Sequence, residues 1–153
     1  MRWLEHRIPP PIVGALAALG MWWLARQSAP PSLPFEVRLG LAVVLALIGL
    51  AFLAPAGAAF RRARTTVNPL KPEAASALVV AGVYRFTRNP MYVGFAALLL
   101  AWAAWLAAPL ALLGPAFFVA YLTRFQILPE ERALRERFGE GFDAYCRQVR
   151  RWL

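Results

Sequence analysis

Long apolar segments alternate with shorter polar ones along this chain. The apolar segments cover residues 8–25, 39–60 and 91–123. A helix that crosses a bilayer needs about 20 mostly apolar residues, within a range of about 17–25. The first two segments are therefore each long enough for one crossing. The third carries no charged residue over 33 positions and exceeds one crossing.

The third segment contains Pro109 near its middle. Proline has no backbone N–H and interrupts regular helical hydrogen bonding. The pattern predicts a hairpin of two helices, 91–107 and 110–125, that turns near Pro109. One kinked helix is the alternative.

The positions of the 17 lysines and arginines favour the hairpin. With four spans and the N-terminus inside, all but Arg26 and Arg38 lie on the cytoplasmic side, as the positive-inside rule requires. A single helix would export the seven arginines from Arg124 onward. We therefore expect a multi-pass membrane protein with both termini and the polar 61–90 loop in the cytoplasm.

Composition supports this all-α membrane fold, a single domain of about four transmembrane helices. The chain is 60% hydrophobic and carries a net charge of +9, although only 16% of its residues are charged. Soluble domains are about 45–50% apolar, so a soluble nucleic-acid-binding protein is excluded. The single Cys146 excludes an internal disulfide, and the single His6 leaves no basis for a metal site.

The first apolar segment has a second interpretation. Arg2 and Arg7 precede it, as in the charged start of a secretory signal peptide. The pair Trp22-Trp23 near its end is more typical of the aromatic belt of a membrane helix than of a cleavage region. We interpret this segment as the first span.

The C-terminal segment predicts an amphipathic helix over 129–153, on the membrane surface or against the cytoplasmic ends of the spans. Gly139 and Gly141 are candidate points of interruption in this helix. Pro129 suits a first helical position. The apolar residues recur at steps of three and four, which places them on one helix face: Leu134, Phe138, Phe142, Tyr145, Val149 and Trp152.

Two adjacent carboxylates open this helix. Glu130 and Glu131 could simply complement the helix dipole. Glu131, however, lies three residues before Leu134 and so falls on the apolar face, with Glu130 about 100° away. A buried carboxylate without a partner costs several kcal/mol. The sequence therefore predicts that this pair meets a partner where the helix packs.

Residues 82–94 include polar and aromatic residues at the predicted start of a membrane helix. Asn89 is a suitable N-cap, Pro90 suits the first helical position, and Tyr92 suits the interfacial belt. Gly94 would let a ligand or a neighbouring helix approach closely. We expect this segment to be the functional centre.

These residues resemble the membrane methyltransferases of the isoprenylcysteine carboxyl methyltransferase and phospholipid methyltransferase group, in its bacterial branch. The resemblance covers about residues 65–153 in order and spacing. It rests on a Gly-x-Tyr motif, then an Arg-Asn-Pro-x-Tyr-x-Gly motif, a helical hairpin, and a Glu-Glu-x-x-Leu motif followed by aromatic residues. The residues that match these motifs are Gly82, Tyr84, Arg88 to Tyr92, Gly94, Glu130, Glu131, Leu134, Phe138, Gly139, Phe142 and Tyr145.

The resemblance implies S-adenosylmethionine as methyl donor and a lipophilic acceptor that enters from the bilayer. It also implies that Glu130, with Glu131 beside it, binds the polar end of this cofactor, and that donor and acceptor meet near Tyr92 and Arg124. The other cofactor-binding residues implied are Ser76, Ala77, Leu78, Val79, Tyr84, Arg88, Asn89, Pro90, Met91 and Tyr92.

The chain departs from the prenylcysteine branch at two positions. Asn89 stands where that branch has His, and Gln126 stands where it has an Arg for the substrate carboxylate. The acceptor therefore stays open. Two other functions are considered: a nicotinamide-dependent reductase, because the fold is similar to that of membrane sterol reductases, and a non-enzymatic membrane adaptor.

Overall fold

The computed structural model describes residue 5 and residues 7–27, 33–62 and 78–153. Within these ranges the chain is helical and contains no strand. Six α-helices follow one another, joined in part by short 3₁₀ and π turns: α1 Pro10–Arg26, α2 Phe35–Arg62, α3 Pro90–Leu106, α4 Leu113–Leu122, α5 Leu128–Phe138 and α6 Glu140–Gln148. The expected cofactor contacts at Ser76 and Ala77 lie outside the described residues.

The predicted hairpin between the third and fourth apolar helices is confirmed. α3 ends at Leu106, where Ala107 adopts a left-handed conformation with φ 49°. A 3₁₀ turn, Pro109–Leu112, then leads into α4. Arg38 caps this end of α3, because its guanidinium donates from both Nε and Nη2 to the Trp105 carbonyl. A cation at a helix C-terminus complements the negative end of the dipole.

The expected break between residues 125 and 129 is wrong. α4 runs through a π turn, Thr123–Ile127, directly into α5, and Pro129 lies inside this continuous helix. Proline cannot donate the hydrogen bond that an α-helix needs at that position. The π turn accommodates the loss, since the Leu128 N–H bonds five residues back to the Thr123 carbonyl.

The single C-terminal helix expected over 129–153 is also wrong. Gly139 adopts φ 50° and ψ −127°, which ends α5 and starts α6 in a new direction. This conformation suits glycine, which has no Cβ. Val149, the first residue beyond α6, is extended, and residues 149–153 are not helical. The apolar face was nevertheless predicted correctly, because Phe142, Tyr145 and Val149 are buried together with Tyr84.

The contact between α2 and α3 explains Gly94. A Cβ added there would lie 2.6 Å from Leu53 Cγ and 2.8 Å from the Gly49 carbonyl oxygen. A Cβ at Gly49 would likewise meet the Gly94 carbonyl oxygen at 2.9 Å. Small residues on both helices thus let the two backbones touch. Of the two possibilities that the sequence left open, the neighbouring helix is the one that occupies this space.

Among the described residues, two helices are long and apolar enough to cross a membrane, Phe35–Ala59 and Pro109–Phe138, while Pro90–Leu106 is a shorter apolar helix. Large apolar side chains cover the outer surface of α1 and α2. Leu19 is 62% exposed and Leu47 is 60% exposed. An apolar exterior of this kind fits a lipid environment better than water.

The Gly49–Gly94 contact predicts that Gly94→Ala destabilises the fold. The added methyl group meets a backbone carbonyl of α2, so the helices must separate, and such overpacking costs about 1–3 kcal/mol. Thermal unfolding in a neutral detergent should show a lower midpoint.

Gly40→Ala is the matched control, because Gly40 lies in α2, the helix that contacts Gly94, and nothing stands within 4 Å of its added methyl group. This variant should unfold at the wild-type temperature or slightly above it, since Ala favours a helix over Gly by about 1 kcal/mol. Equal midpoints for the two variants would contradict the close helix contact.

Candidate functional site

The segment before α3 lies directly against the C-terminal tail. The Arg88 N–H donates to the Arg150 carbonyl at 2.9 Å. The Arg151 carbonyl accepts two further hydrogen bonds, from Thr87 Oγ1 at 3.2 Å and from Asn89 Nδ2 at 2.9 Å. The two parts of the chain that the charge pattern placed in one compartment are therefore in contact.

Asn89 lies at the predicted N-cap position of α3, but its side chain does not cap the helix as expected. Its carbonyl accepts the first helical hydrogen bonds, from the N–H groups of Tyr92 and Val93, both at 3.0 Å. Its side chain makes no capping bond and instead holds the tail at Arg151. The amide thus ties the start of α3 to the C-terminus.

Glu131 is buried and fully engaged. Its Oε1 accepts from Arg88 Nη2 at 2.7 Å and from Arg151 Nε at 2.9 Å, and its Oε2 accepts from Arg151 Nη2 at 2.7 Å. The expectation that Glu131 faces a packed surface and needs a partner is confirmed. The partners are two arginines of this chain.

Arg88 extends this network to the backbone of the tail. Its Nη1 donates to the Val149 carbonyl at 2.6 Å and to the Cys146 carbonyl at 3.2 Å. These carbonyls belong to the end of α6, where helical acceptors have no helical partner. We call the set of Arg88, Glu131 and Arg151 the arginine clamp.

Glu130 has a different environment from its neighbour. Its Oε1 accepts from the Tyr92 hydroxyl and from Gln126 Nε2, both at 2.7 Å. Among the described residues, no lysine or arginine forms an ion pair with it. Glu130 is therefore held in place by two neutral donors and lacks a positive counter-charge in this part of the chain.

A second buried cluster supports the 3₁₀ turn Gly82–Arg85. The Tyr145 hydroxyl donates to the Tyr84 carbonyl at 2.6 Å. Burial raises the pKa of Tyr145 above its usual range, so the phenol stays a donor at neutral pH. Leu78 and Val79 pack against this cluster. The expected contacts at Tyr84, Leu78 and Val79 thus lie beside the clamp, on the tail side.

The structure does not bring Arg124 to Tyr92. Arg124 Nη1 lies 3.3 Å from Glu5 Oε1, in an exposed ion pair. Gln126, two residues on, turns towards Glu130 instead, because residues two apart point to nearly opposite sides of a helix. In the described structure Tyr92 and Arg124 have different partners, Glu130 and Glu5, and a reaction centre between them stays a prediction.

Sequence reasoning missed two members of the site. Gln126 was noted only as a departure from a family pattern, although its i, i+4 spacing to Glu130 places both on one helix face. Arg151 carried no signal, because the tail was expected to be helical, whereas the residues beyond α6 are not helical. The other expected residues, Pro90 and Met91, begin α3 beside this site, with Pro90 buried.

Metal chemistry has no support in the described ranges, where no group of three His, Cys, Asp or Glu residues could hold a metal ion. The site consists of a carboxylate, a phenol and an amide beside a closed ion network.

A family model described as phospholipid methyltransferase matches residues 37–141, which is more than half of the chain. The chain belongs to the phospholipid methyltransferase family. The resemblance seen in the sequence is thereby confirmed. As a member of a methyltransferase family, the chain is best described as an enzyme.

The family match covers α2 to the start of α6 and so includes Tyr92, Gln126, Glu130 and Glu131. It ends before Arg151, so the tail supplies this one member of the clamp from outside the matched range, whereas Arg88 and Glu131 lie within it. An uncharacterized protein of Haemophilus influenzae is 43% identical over 63 residues, which are 41% of this chain and 100% of that protein. No solved structure matches.

The arginine clamp predicts that loss of Arg88 lowers the free energy of unfolding more than loss of Arg151 does. Arg88→Met leaves the buried carboxylate with one partner and removes the donor to two carbonyls, and breaking such a pair costs about 3–5 kcal/mol. Arg151→Met should cost less, because its side chain is 36% exposed, against 12% for Arg88, and water can replace it. Equilibrium unfolding in mixed micelles measures both.

Arg150→Met removes an exposed arginine next to the clamp and keeps the carbonyl that Arg88 N–H uses. Exposed substitutions usually change stability by no more than about 0.5 kcal/mol. If Arg88→Met and Arg150→Met unfold alike, the clamp does not stabilise the fold.

Proposed function

We propose that this family member is an integral membrane enzyme that transfers the methyl group of S-adenosylmethionine to a lipophilic acceptor. The observation that carries the proposal is the difference between two adjacent carboxylates. Glu131 has two arginine partners, whereas Glu130 has two neutral donors and no cation among the described residues. A partly buried carboxylate of this kind favours a positively charged ligand.

S-adenosylmethionine fits this requirement, because its amino acid end carries an ammonium group and its sulfur is a sulfonium. We assign Glu130 to the ammonium group, as the family resemblance implies. Tyr92 and Gln126 fix the orientation of the carboxylate through their hydrogen bonds. Asn89, Pro90 and Met91 lie at the adjacent start of α3 and form the neighbouring wall.

Arg88 and Glu131 take a positioning role in this proposal. Arg88 Nη1 and Nη2 donate to backbone carbonyls and to Glu131, and both Glu131 oxygens accept from Arg88 or Arg151. Arg88 Nε is buried and has no hydrogen-bond partner among the described residues. Holding the tail against the start of α3 keeps Tyr92 in reach of Glu130. Arg124 has no assigned part in the transfer, since it is paired with Glu5.

When bound, the cofactor supplies an electrophilic methyl group on a positively charged sulfur. The protein then has to align the acceptor with that group and keep water away. Orientation of two reactants can contribute roughly 7–11 kcal/mol to a rate. Tyr92 and Glu130 are hydrogen-bonded to each other, and neither is set against a nucleophile as a general base. An acceptor that is already nucleophilic, such as a carboxylate, thiolate or unprotonated amine, suits this arrangement.

We further propose four membrane spans, with both termini and the Tyr92–Glu130 site in the cytoplasm. α1 and α3 have 17 residues each and are about 25 Å long, near the lower limit for a crossing. Arg38 lies at the end of the bundle where α3 terminates, whereas the clamp lies at the opposite end, where α3 begins. The charge asymmetry along the chain supports this orientation.

A calorimetric titration tests the cofactor assignment. The purified protein in neutral detergent is titrated with S-adenosylhomocysteine, the product of the transfer, and separately with NADPH. We expect saturable heat with S-adenosylhomocysteine only. Binding of NADPH alone indicates the reductase, and no heat with either ligand at millimolar concentration indicates the adaptor. Both results contradict the methyltransferase proposal.

The role of Glu130 predicts that Glu130→Gln weakens S-adenosylhomocysteine binding at least about tenfold, a loss of 1.4 kcal/mol that one charge-assisted hydrogen bond can account for. Tyr92→Phe removes a hydrogen bond to the carboxylate and should weaken binding less. Glu136→Gln is the matched control, because it removes a carboxylate from an exposed position of the same helix. An affinity for Glu130→Gln equal to that of the control refutes the assignment.

A further inference from the structure

An apolar groove runs between α1 and α4, away from the site described above. It encloses about 320 Å³. Met21 faces Gly114 and Gly14 faces Phe118, so the two helices are antiparallel, and Ile8 and Tyr121 line the same end of the groove. Its lining consists of aliphatic and aromatic side chains, apart from the Tyr121 hydroxyl.

The length of the groove suits one lipid chain. Along α1 its lining runs from Val13 to Leu24, which is about 16 Å at 1.5 Å per residue. Half of a hydrocarbon core of about 30 Å is about 15 Å, the depth of one leaflet. The outward side chains of α1 are exposed, with Leu16 57% exposed, so the groove opens towards the position of the lipid.

Two arginines lie at the Ile8 end of this groove. Arg124 follows Tyr121 by one helical turn, and Arg132 lies about two turns further on the same face. Between them lies the carboxylate of Glu5, 3.3 Å from Arg124 Nη1 and 2.6 Å from Arg132 Nη2.

The exposure of these three side chains is unusual for a surface ion pair. Glu5 is 13% exposed, whereas both arginines are about half exposed at 49% and 48%. The arrangement is a pocket for an acidic group, filled by a residue of the same chain. Two cations face this one carboxylate, so an acidic group that displaces Glu5 would meet both arginines.

Tyr121 adds a polar group at this end. Its hydroxyl is buried and has no hydrogen-bond partner among the described residues. An unsatisfied buried donor is unfavourable, and an oxygen atom of a ligand could accept its hydrogen bond. The Tyr121 hydroxyl and the two arginines therefore lie at the same end of the groove as Glu5.

We propose that this groove and the Arg124–Arg132 pair bind an anionic lipid. Its apolar chain lies between α1 and α4, and its phosphate or carboxylate head group takes the place of the Glu5 carboxylate. Glu5 is then an internal competitor that occupies the head-group pocket when no lipid is bound. The charge complementarity of the arginine pair, at the end of an apolar groove, selects an acidic amphiphile over a neutral one.

This binding site is separate from the proposed methyl-transfer site. Arg124 and Gln126 point to nearly opposite sides of one helix, and so do Glu130 and Arg132. The inference does not depend on the proposed function, and its test measures lipid binding without S-adenosylmethionine. Failure of one proposal leaves the other standing.

Three probes separate the parts of the site. The purified full-length protein in neutral detergent is titrated with hexadecyl phosphate, with hexadecanol and with inorganic phosphate. Hexadecyl phosphate should bind at least about tenfold more tightly than hexadecanol, as expected for one added charge-assisted contact. Inorganic phosphate should not compete at millimolar concentration, because it has no chain for the groove. Equal binding of the two amphiphiles, or competition by free phosphate, overturns the proposal.

Glu5→Gln removes the competing carboxylate and should tighten hexadecyl phosphate binding about threefold or more, with hexadecanol unchanged. A purely structural ion pair predicts unchanged or weaker binding, and that result overturns the proposal. Arg124→Gln with Arg132→Gln should abolish the preference for the phosphate head. Arg135→Gln with Arg137→Gln is the charge-matched control on the same helix and should keep the preference.

If the double arginine variant does not fold, a substitution in the groove still tests the proposal. Gly20 lines the groove, and nothing stands within 4 Å of a Cβ added there. The Cβ of Gly20→Leu therefore meets no neighbour, and its side chain should occupy part of the groove and weaken binding of both amphiphiles about tenfold or more. Gly40→Leu, at an open position of α2, should leave both affinities unchanged. Equal affinities for the two glycine variants contradict the assigned groove.

Discussion

The buried carboxylate of Glu131 holds together three segments that are far apart in the sequence. Arg88 precedes α3, Glu131 lies in α5, and Arg151 follows α6. A carboxylate in this position is costly unless it is paired and hydrogen-bonded, and both of its oxygens are. Its partner Arg88 also satisfies two carbonyls at the end of α6. The tail, the start of α3 and the carboxylate helix are therefore fixed relative to one another by one charge.

Glu130 gains its chemical character from that arrangement. The adjacent Glu131 carboxylate binds the nearby arginines, whereas Glu130 accepts hydrogen bonds from the Tyr92 phenol and the Gln126 amide. Hydrogen bonds from neutral groups orient a carboxylate without cancelling its charge. The same two-residue unit thus provides one structural carboxylate and one that can receive a positive ligand. A single acidic residue could not serve both purposes.

Much of this arrangement could be predicted from local patterns. Apolar segments and arginine positions predicted the helices and the hairpin, since membrane insertion depends on properties of short segments. The helical period also placed Glu131 on a packed face. The identity of its partner could not be predicted, because Arg151 lies in a segment whose direction depends on Gly139 and on the end of α6. The contact between Gln126 and Glu130 could not be predicted for a similar reason, because the helix was not expected to continue past Pro129.

The π turn at Thr123–Ile127 decides which residues face each site. A π turn contains one residue more than an α-turn, and one residue corresponds to about 100° of rotation. Everything after it, including Glu130 and Arg132, is therefore rotated relative to a regular helix. Gln126 and Glu130 meet Tyr92 on one side, while Arg124 and Arg132 share Glu5 on the other. The proline that forces this turn thus separates the carboxylate site from the arginine pair on a single continuous helix.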